Sequence, residues 1–140
     1  MGLYLCVFRS EESDEEIEGV EIGGYDDFDS FRSVVSEMLE GGEWASRFPV
    51  LMGHSDSDGA WTPSEAGDLE REVLTIAGEL ARLPARPFAS GWPEDVAAQL
   101  DLTPETLLDV FIDVDGEPLL ERLVSVAKAS QTSGQDIWLQ

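Results

Sequence analysis

The residues that come closest to a chemical site are His54-Ser55-Asp56-Ser57-Asp58-Gly59-Ala60-Trp61-Thr62-Pro63-Ser64-Glu65. Counted from His54, carboxylates stand at positions 3, 5 and 12, glycine at 6 and an apolar residue at 8, the register of a calcium loop. Position 1 is histidine, however, and imidazole is a poor ligand for a hard cation. The preceding Phe48-Pro49-Val50-Leu51-Met52 also reads as an edge strand or extended segment, where a calcium loop would follow a helix. The plainer reading is an acidic turn whose Asp58-Gly59 reverses the chain into a capped helix. Asp113-Val114-Asp115-Gly116-Glu117 resembles the same loop but has Arg122 where the bidentate glutamate belongs. It reads as a turn whose acids complement the dipole of the next helix. No spacing joins Asp56, Asp58, Asp113 and Asp115 into a two-loop metal site. His54 is the only histidine, and no nucleophile elbow, phosphate-cradling loop or metal-binding histidine pair accompanies it. No catalytic residue, metal or cofactor is therefore assigned. A calcium-binding domain around residues 54–65 and a small enzyme using His54 stand as the alternatives to a binding role.

The dominant feature is charge. Thirty acids against eight basic residues give a formal −22 over 140 residues, where a magnitude of about 2–8 suffices for the solubility of a small domain. The densest acid is the run Glu11, Glu12, Asp14, Glu15, Glu16 and Glu18. Such an excess repels nucleic-acid phosphates and anionic membranes, whose binding is supplied by lysine and arginine. It attracts and steers cationic proteins. The expected partner is thus a basic protein, with neither nucleic acid nor membrane bound directly. The expected contact residues are the acid run together with Asp56, Asp58, Asp113, Asp115 and Trp61. A tryptophan exposed beside carboxylates is a hot-spot arrangement, although buried packing is the commoner state of all four tryptophans.

These residues must be positioned by a folded scaffold, since 42 % of the chain is hydrophobic and the length fits one domain, 1–140. Leu3 to Phe8 reads as a buried strand. Ser10 to Gly19 reads as a solvated turn, and Val20-Ile22 as a short returning hairpin strand. Asp26 and Asp27 supply N-cap chemistry for an amphipathic helix with Phe28, Phe31, Val34, Val35, Met38 and Leu39 on its apolar face, closed by Gly41-Gly42. Thr62-Pro63-Ser64-Glu65 is a capping box opening a long helix that ends before Pro84. Trp92-Pro93 starts a short helix, Thr103-Pro104 repeats the cap-plus-proline signal, and Leu119, Leu120, Leu123, Val124 and Ala127 mark a last helix released by Gly134. Asp136 to Gln140 reads as a closing strand. The class is α+β: a small mixed or antiparallel sheet, built from the N-terminal hairpin and the C-terminal strand, covered by several helices on one face.

Cys6, the only cysteine, reads as a small buried hydrophobe. With no signal segment and no bilayer-length apolar run, a reducing cytoplasm is the expected compartment. Taken together, MGLYLCVF, FPVLMGHSDSDGAW, FIDVDGEPLLERL and GQDIWLQ resemble the immunity protein 70 family of bacterial polymorphic toxin systems. The resemblance implies a small cytoplasmic α+β protein, encoded beside a toxin, that binds and neutralises that toxin. It brings no catalytic residues. A role for the acidic hairpin in that binding is an inference from charge alone.

Overall fold

The computed structural model describes residues 2–140. Two strands open the chain, β1 (Leu3–Phe8) and β2 (Glu16–Gly23), followed by helix α1 (Tyr25–Leu39), a one-turn helix α2 (Pro49–Met52) and a two-residue strand β3 (Ala60–Trp61). Then come α3 (Pro63–Leu80), α4 (Trp92–Gln99), a 3-10 turn at Leu107–Val110, α5 (Leu119–Ser133) and β4 (Ile137–Leu139). The strands form one antiparallel sheet in the order β2-β1-β4-β3. The α+β class and the hairpin-plus-C-terminal-strand sheet agree with the sequence reading.

Alternation along β1 decides which face is covered. Leu3, Leu5 and Val7 join the core with Val20, Ile22, Ile137 and Trp61, packed against Phe28 and Phe31 of α1, Leu69, Val73 and Ile76 of α3, and Leu123 and Val126 of α5. Tyr4, Cys6 and Phe8 point the other way, as successive side chains on a strand must. Their cross-strand neighbours include Gly19 and Trp138, paired with Cys6, and Glu21, paired with Tyr4. Cys6 is buried on this second face, but neither it nor Tyr4 nor Phe8 joins the main core cluster. There a β-carbon on Gly19 would collide with the Tyr4 ring, so only glycine lets the tyrosine lie across the strand.

Several elements depart from the sequence reading. Strand β2 begins at Glu16, so the hairpin loop is shorter than Ser10–Gly19; Arg9 N–H donates to Glu15 O at 2.8 Å and closes it. The N-cap of α1 is Gly24, and Asp27 sits three residues on, accepting the Gly24 N–H at 2.6 Å and the Trp92 indole N–H at 3.0 Å. The long helix stops at Leu80, and Thr106 rather than Thr103 heads the 3-10 turn, with Asp109 accepting from the Thr106 N–H. The capping box at Thr62 and Glu65 forms as read, with bonds of 3.2 and 3.0 Å.

The largest departure is Pro49–Met52, read as extended and found as α2. Its helical form depends on polar groups distant in sequence. Glu72 of α3 accepts the Val50 and Leu51 N–H groups at 3.1 and 2.9 Å, and buried Glu40 accepts those of Ala45, Arg47 and Phe48. At the other end, the Arg32 guanidinium, itself 4 % exposed, donates to His54 O at 2.8 Å and Leu51 O at 3.3 Å. It also pairs with Asp29 at 2.7 Å and lies over the Phe28 ring, 4.4 Å from its centroid. Carboxylates at the N-terminus and a cation at the C-terminus match the helix dipole. Burial pushes the Glu72 carboxyl up, and the two N–H bonds work against that rise.

Arg32→Ala would strand those carbonyls without a donor and remove the stacking on Phe28. The expected cost is about 2–3 kcal/mol, with little from half-exposed Asp29. It would read as a lower urea midpoint with unchanged m-value. An unchanged midpoint would refute the clamp.

Candidate acidic interface on the uncovered sheet face

The β1–β2 hairpin loop projects beside the start of β4, and between them lies a cleft of about 440 Å³. Phe8 and Trp138 supply its aromatic walls, and Glu11, Asp14 and Asp136 its carboxylates. Ser10 and Ser13 also line it. Trp138 is 44 % exposed because it alternates between Ile137 and Leu139, both of which face the core. No basic side chain lines the cleft. Such a combination suits a lysine or arginine side chain, which a carboxylate can pair and an indole face can hold by cation–π attraction.

The expected contact residues are divided among several places. Glu11, Glu12 and Asp14 are exposed on the hairpin loop, and Glu11 and Asp14 face the cleft. Glu15 is paired with Arg9 at 2.8 Å, and Glu16 accepts the Tyr4 hydroxyl at 2.6 Å. Glu18 turns to the covered side and pairs with Arg122 of α5 at 3.0 Å. Arg122 also donates to Gly19 O and lies 3.7 Å from Asp113, tying α5 to both β2 and the 113–117 turn.

Asp113 is 2 % exposed, with one carboxylate oxygen accepting the N–H groups of Asp115 and Glu117 at 2.9 and 3.0 Å. It shapes a turn, whereas Asp115 is exposed. Trp61 is 1 % exposed; its indole N–H donates to Val50 O at 3.0 Å and its ring belongs to the core. Trp44 and Trp138 are the exposed tryptophans, and Trp138 is the one that lines a cleft with carboxylates. The strand alternation of Ile137-Trp138-Leu139 was the available signal, but it could not say which of the two sides faced out.

The 54–59 loop lies elsewhere. Because β3 runs in the same direction as β1, the loop before it sits where β1 begins, and Gly59 O accepts the Leu139 N–H there. The hairpin loop is at the opposite end of β1. The 113–116 turn meets Glu21 on the far edge strand, through the Val114 N–H. The two Asp loops are therefore not brought together, and among the described residues no cluster of three His, Cys, Asp or Glu side chains could hold a metal ion. The segment Pro49–Met52 ahead of the loop is helical, contrary to the extended reading, yet Glu65 is engaged in the Thr62 capping box. The neighbouring Asp29 pushes the Asp56 carboxyl up, while the Asp29 carboxyl, despite burial, is held below the usual range by Arg32 and by Asp56. Both His54 ring nitrogens lie 3.0 Å from backbone carbonyls, those of Ser55 and Ala60, and the ring packs 4.5 Å from that of Trp61.

Beneath the uncovered face, burial and the Glu16 carboxylate push the Cys6 thiol up to about 11, and burial and the same carboxylate push the Tyr4 hydroxyl upward too. Both groups ionise more readily unfolded than folded. The folded state thus holds more protons between the ordinary thiol value of 9.0 and about 11, and stability falls as pH rises through that window. A urea midpoint that stays level from pH 8 to 11 would contradict this. Trp138→Ala should cost under about 1 kcal/mol, against about 3–5 kcal/mol for Trp61→Ala, the difference being full burial. Equal losses in thermal melts would contradict the assignment of faces.

A family model described as immunity protein 70 matches residues 3–139. No curated protein and no solved structure matches the chain. No helix among the described residues is long and apolar enough to cross a membrane. With nearly every residue inside the matched span, the chain belongs to the immunity protein 70 family.

Proposed function

We propose that this protein neutralises its cognate toxin in the cytoplasm by binding alone, with the acidic hairpin and the uncovered sheet face meeting a basic surface of the toxin. The observation that carries this reading is the convergence of Glu11, Asp14 and Asp136 on Phe8 and Trp138 in a cleft that no basic residue lines. Cationic side chains of the toxin enter the cleft, and the surrounding field gathers them from a distance. Among the described residues five arginines form ion pairs, engaging Glu15, Asp29, Asp68, Glu79, Glu18 and Asp113. Glu11, Glu12 and Asp14 are not in that set, so their field is left to act on a partner. Steering of this kind raises association rates by factors of about 10–1000 and falls steeply with salt.

Glu15 and Glu16 hold Arg9 and Tyr4, so the informative variant neutralises Glu11, Glu12 and Asp14 together as Gln, Gln and Asn. At low ionic strength its association with the purified cognate toxin domain should be about tenfold slower or more, with a flatter salt dependence and an unchanged melting temperature. An on-rate equal to that of the unaltered protein at low salt would sink the electrostatic reading.

A further inference from the structure

A second surface has different chemistry. Between α3, α5 and the 102–118 segment runs a groove of about 590 Å³. Leu74, Phe88, Leu102, Phe111 and Val124 line it. It is built by the long connection after α3: Leu107 N–H donates to Leu83 O at 3.0 Å, Pro84 bridges to Thr106, and Ile112 bridges to Pro118. These links hold the connection away from α5 by the width of the groove. Gly116, at φ +82°, forms part of its wall, and a β-carbon there would collide with Leu100.

Leu74, in the groove, and Leu100, against Gly116, are each 52 % exposed, the most exposed of the large hydrophobic side chains. Apolar surface left in water adds nothing to the stability of the free protein, and a grouped patch marks an interaction surface. The charged residues along the groove are Glu105, Asp109 and Glu121, and none is basic.

We infer that this groove receives an amphipathic segment of the cognate toxin, apolar along the side that enters and bearing lysine or arginine along its margins. The inference rests on the toxin-binding reading for the identity of the protein that supplies the segment. Charge selects the occupant. A second copy of this chain would bring another −22 to an acid-rimmed groove, and a neutral apolar molecule would fill the lining while leaving the rim carboxylates of Glu105 and Glu121 unmatched. An apolar segment with cationic margins satisfies both. Apolar burial at such a contact slows dissociation, whereas the distant acidic hairpin governs approach.

The test uses the purified cognate toxin domain and two groove variants at exposed positions, Leu74→Gln and the pair Glu105→Lys with Glu121→Lys. Each should raise the dissociation rate about tenfold or more, and Leu74→Gln should leave the on-rate within about twofold. Hydrogen exchange on the unaltered complex gives a second readout, with toxin slowing exchange over residues 74–77 and 102–112. Wild-type dissociation rates for both variants, or protection confined to residues 8–14 and 134–140, would overturn the groove and leave toxin binding standing. No complex with the unaltered protein would overturn the toxin-binding reading itself, and the groove with it.

Discussion

A chain with thirty acids and eight basic residues cannot neutralise itself, and where its few cations go determines much of this structure. Three of the arginines tie elements of the fold to one another. Arg32 closes the end of α2, Arg122 fastens α5 to β2 and to the Asp113 turn, and Arg47 joins the segment before α2 to Glu79 of α3. Each spans elements far apart in sequence, so each offsets part of the charge repulsion where packing needs it. The hairpin loop and the rim of the uncovered sheet keep their negative field.

Several carboxylates are structural for the same reason. Glu40 and Glu72 accept backbone N–H groups around the start of α2, and Asp27 accepts both the Gly24 N–H and the Trp92 indole. These carboxylates find N–H donors without any cation, and at Glu72 the two bonds oppose the rise that burial causes. Acidity in this protein therefore has two roles: some carboxylates replace missing caps and donor partners within the fold, and others remain free in solvent. Under the proposed function the free ones serve rapid capture, because an inhibitor that must reach a toxin before the toxin reaches its target gains from a fast on-rate.

The one-sided sheet links the fold to that role. Helices bury Leu3, Leu5 and Val7, and the same alternation leaves Tyr4, Phe8 and Trp138 on the side without helices. Glycine at position 19 keeps this second face low enough for Tyr4 to lie over it and bond to Glu16. The hairpin loop can then rise beside Trp138 with little in between.

From sequence alone, local patterns were enough for the class, the hairpin, the Thr62 capping box and the apolar stripes of α1, α3 and α5, because spacing and caps act within a few residues of one another. Charge alone raises the expectation of a cationic partner but does not separate Glu11, Glu12 and Asp14 from Glu15, Glu16 and Glu18, which Arg9, Tyr4 and Arg122 engage. The tertiary structure decided the rest. Phe48 to Met52 looked extended, yet Glu40, Glu72 and Arg32 supply the partners that make it helical, and none of the three lies in that segment. Trp61 and Trp138 are equally aromatic in sequence, but only sheet register places one in the core and the other in solvent. Glu18 and Asp113 resemble Glu11 and Asp14 as residue types, and Arg122, with the Asp115 and Glu117 N–H groups at Asp113, makes them internal. Whether a carboxylate is a clamp or a contact depends on what the fold brings within about 3 Å of it, and a linear chain carries no record of that distance.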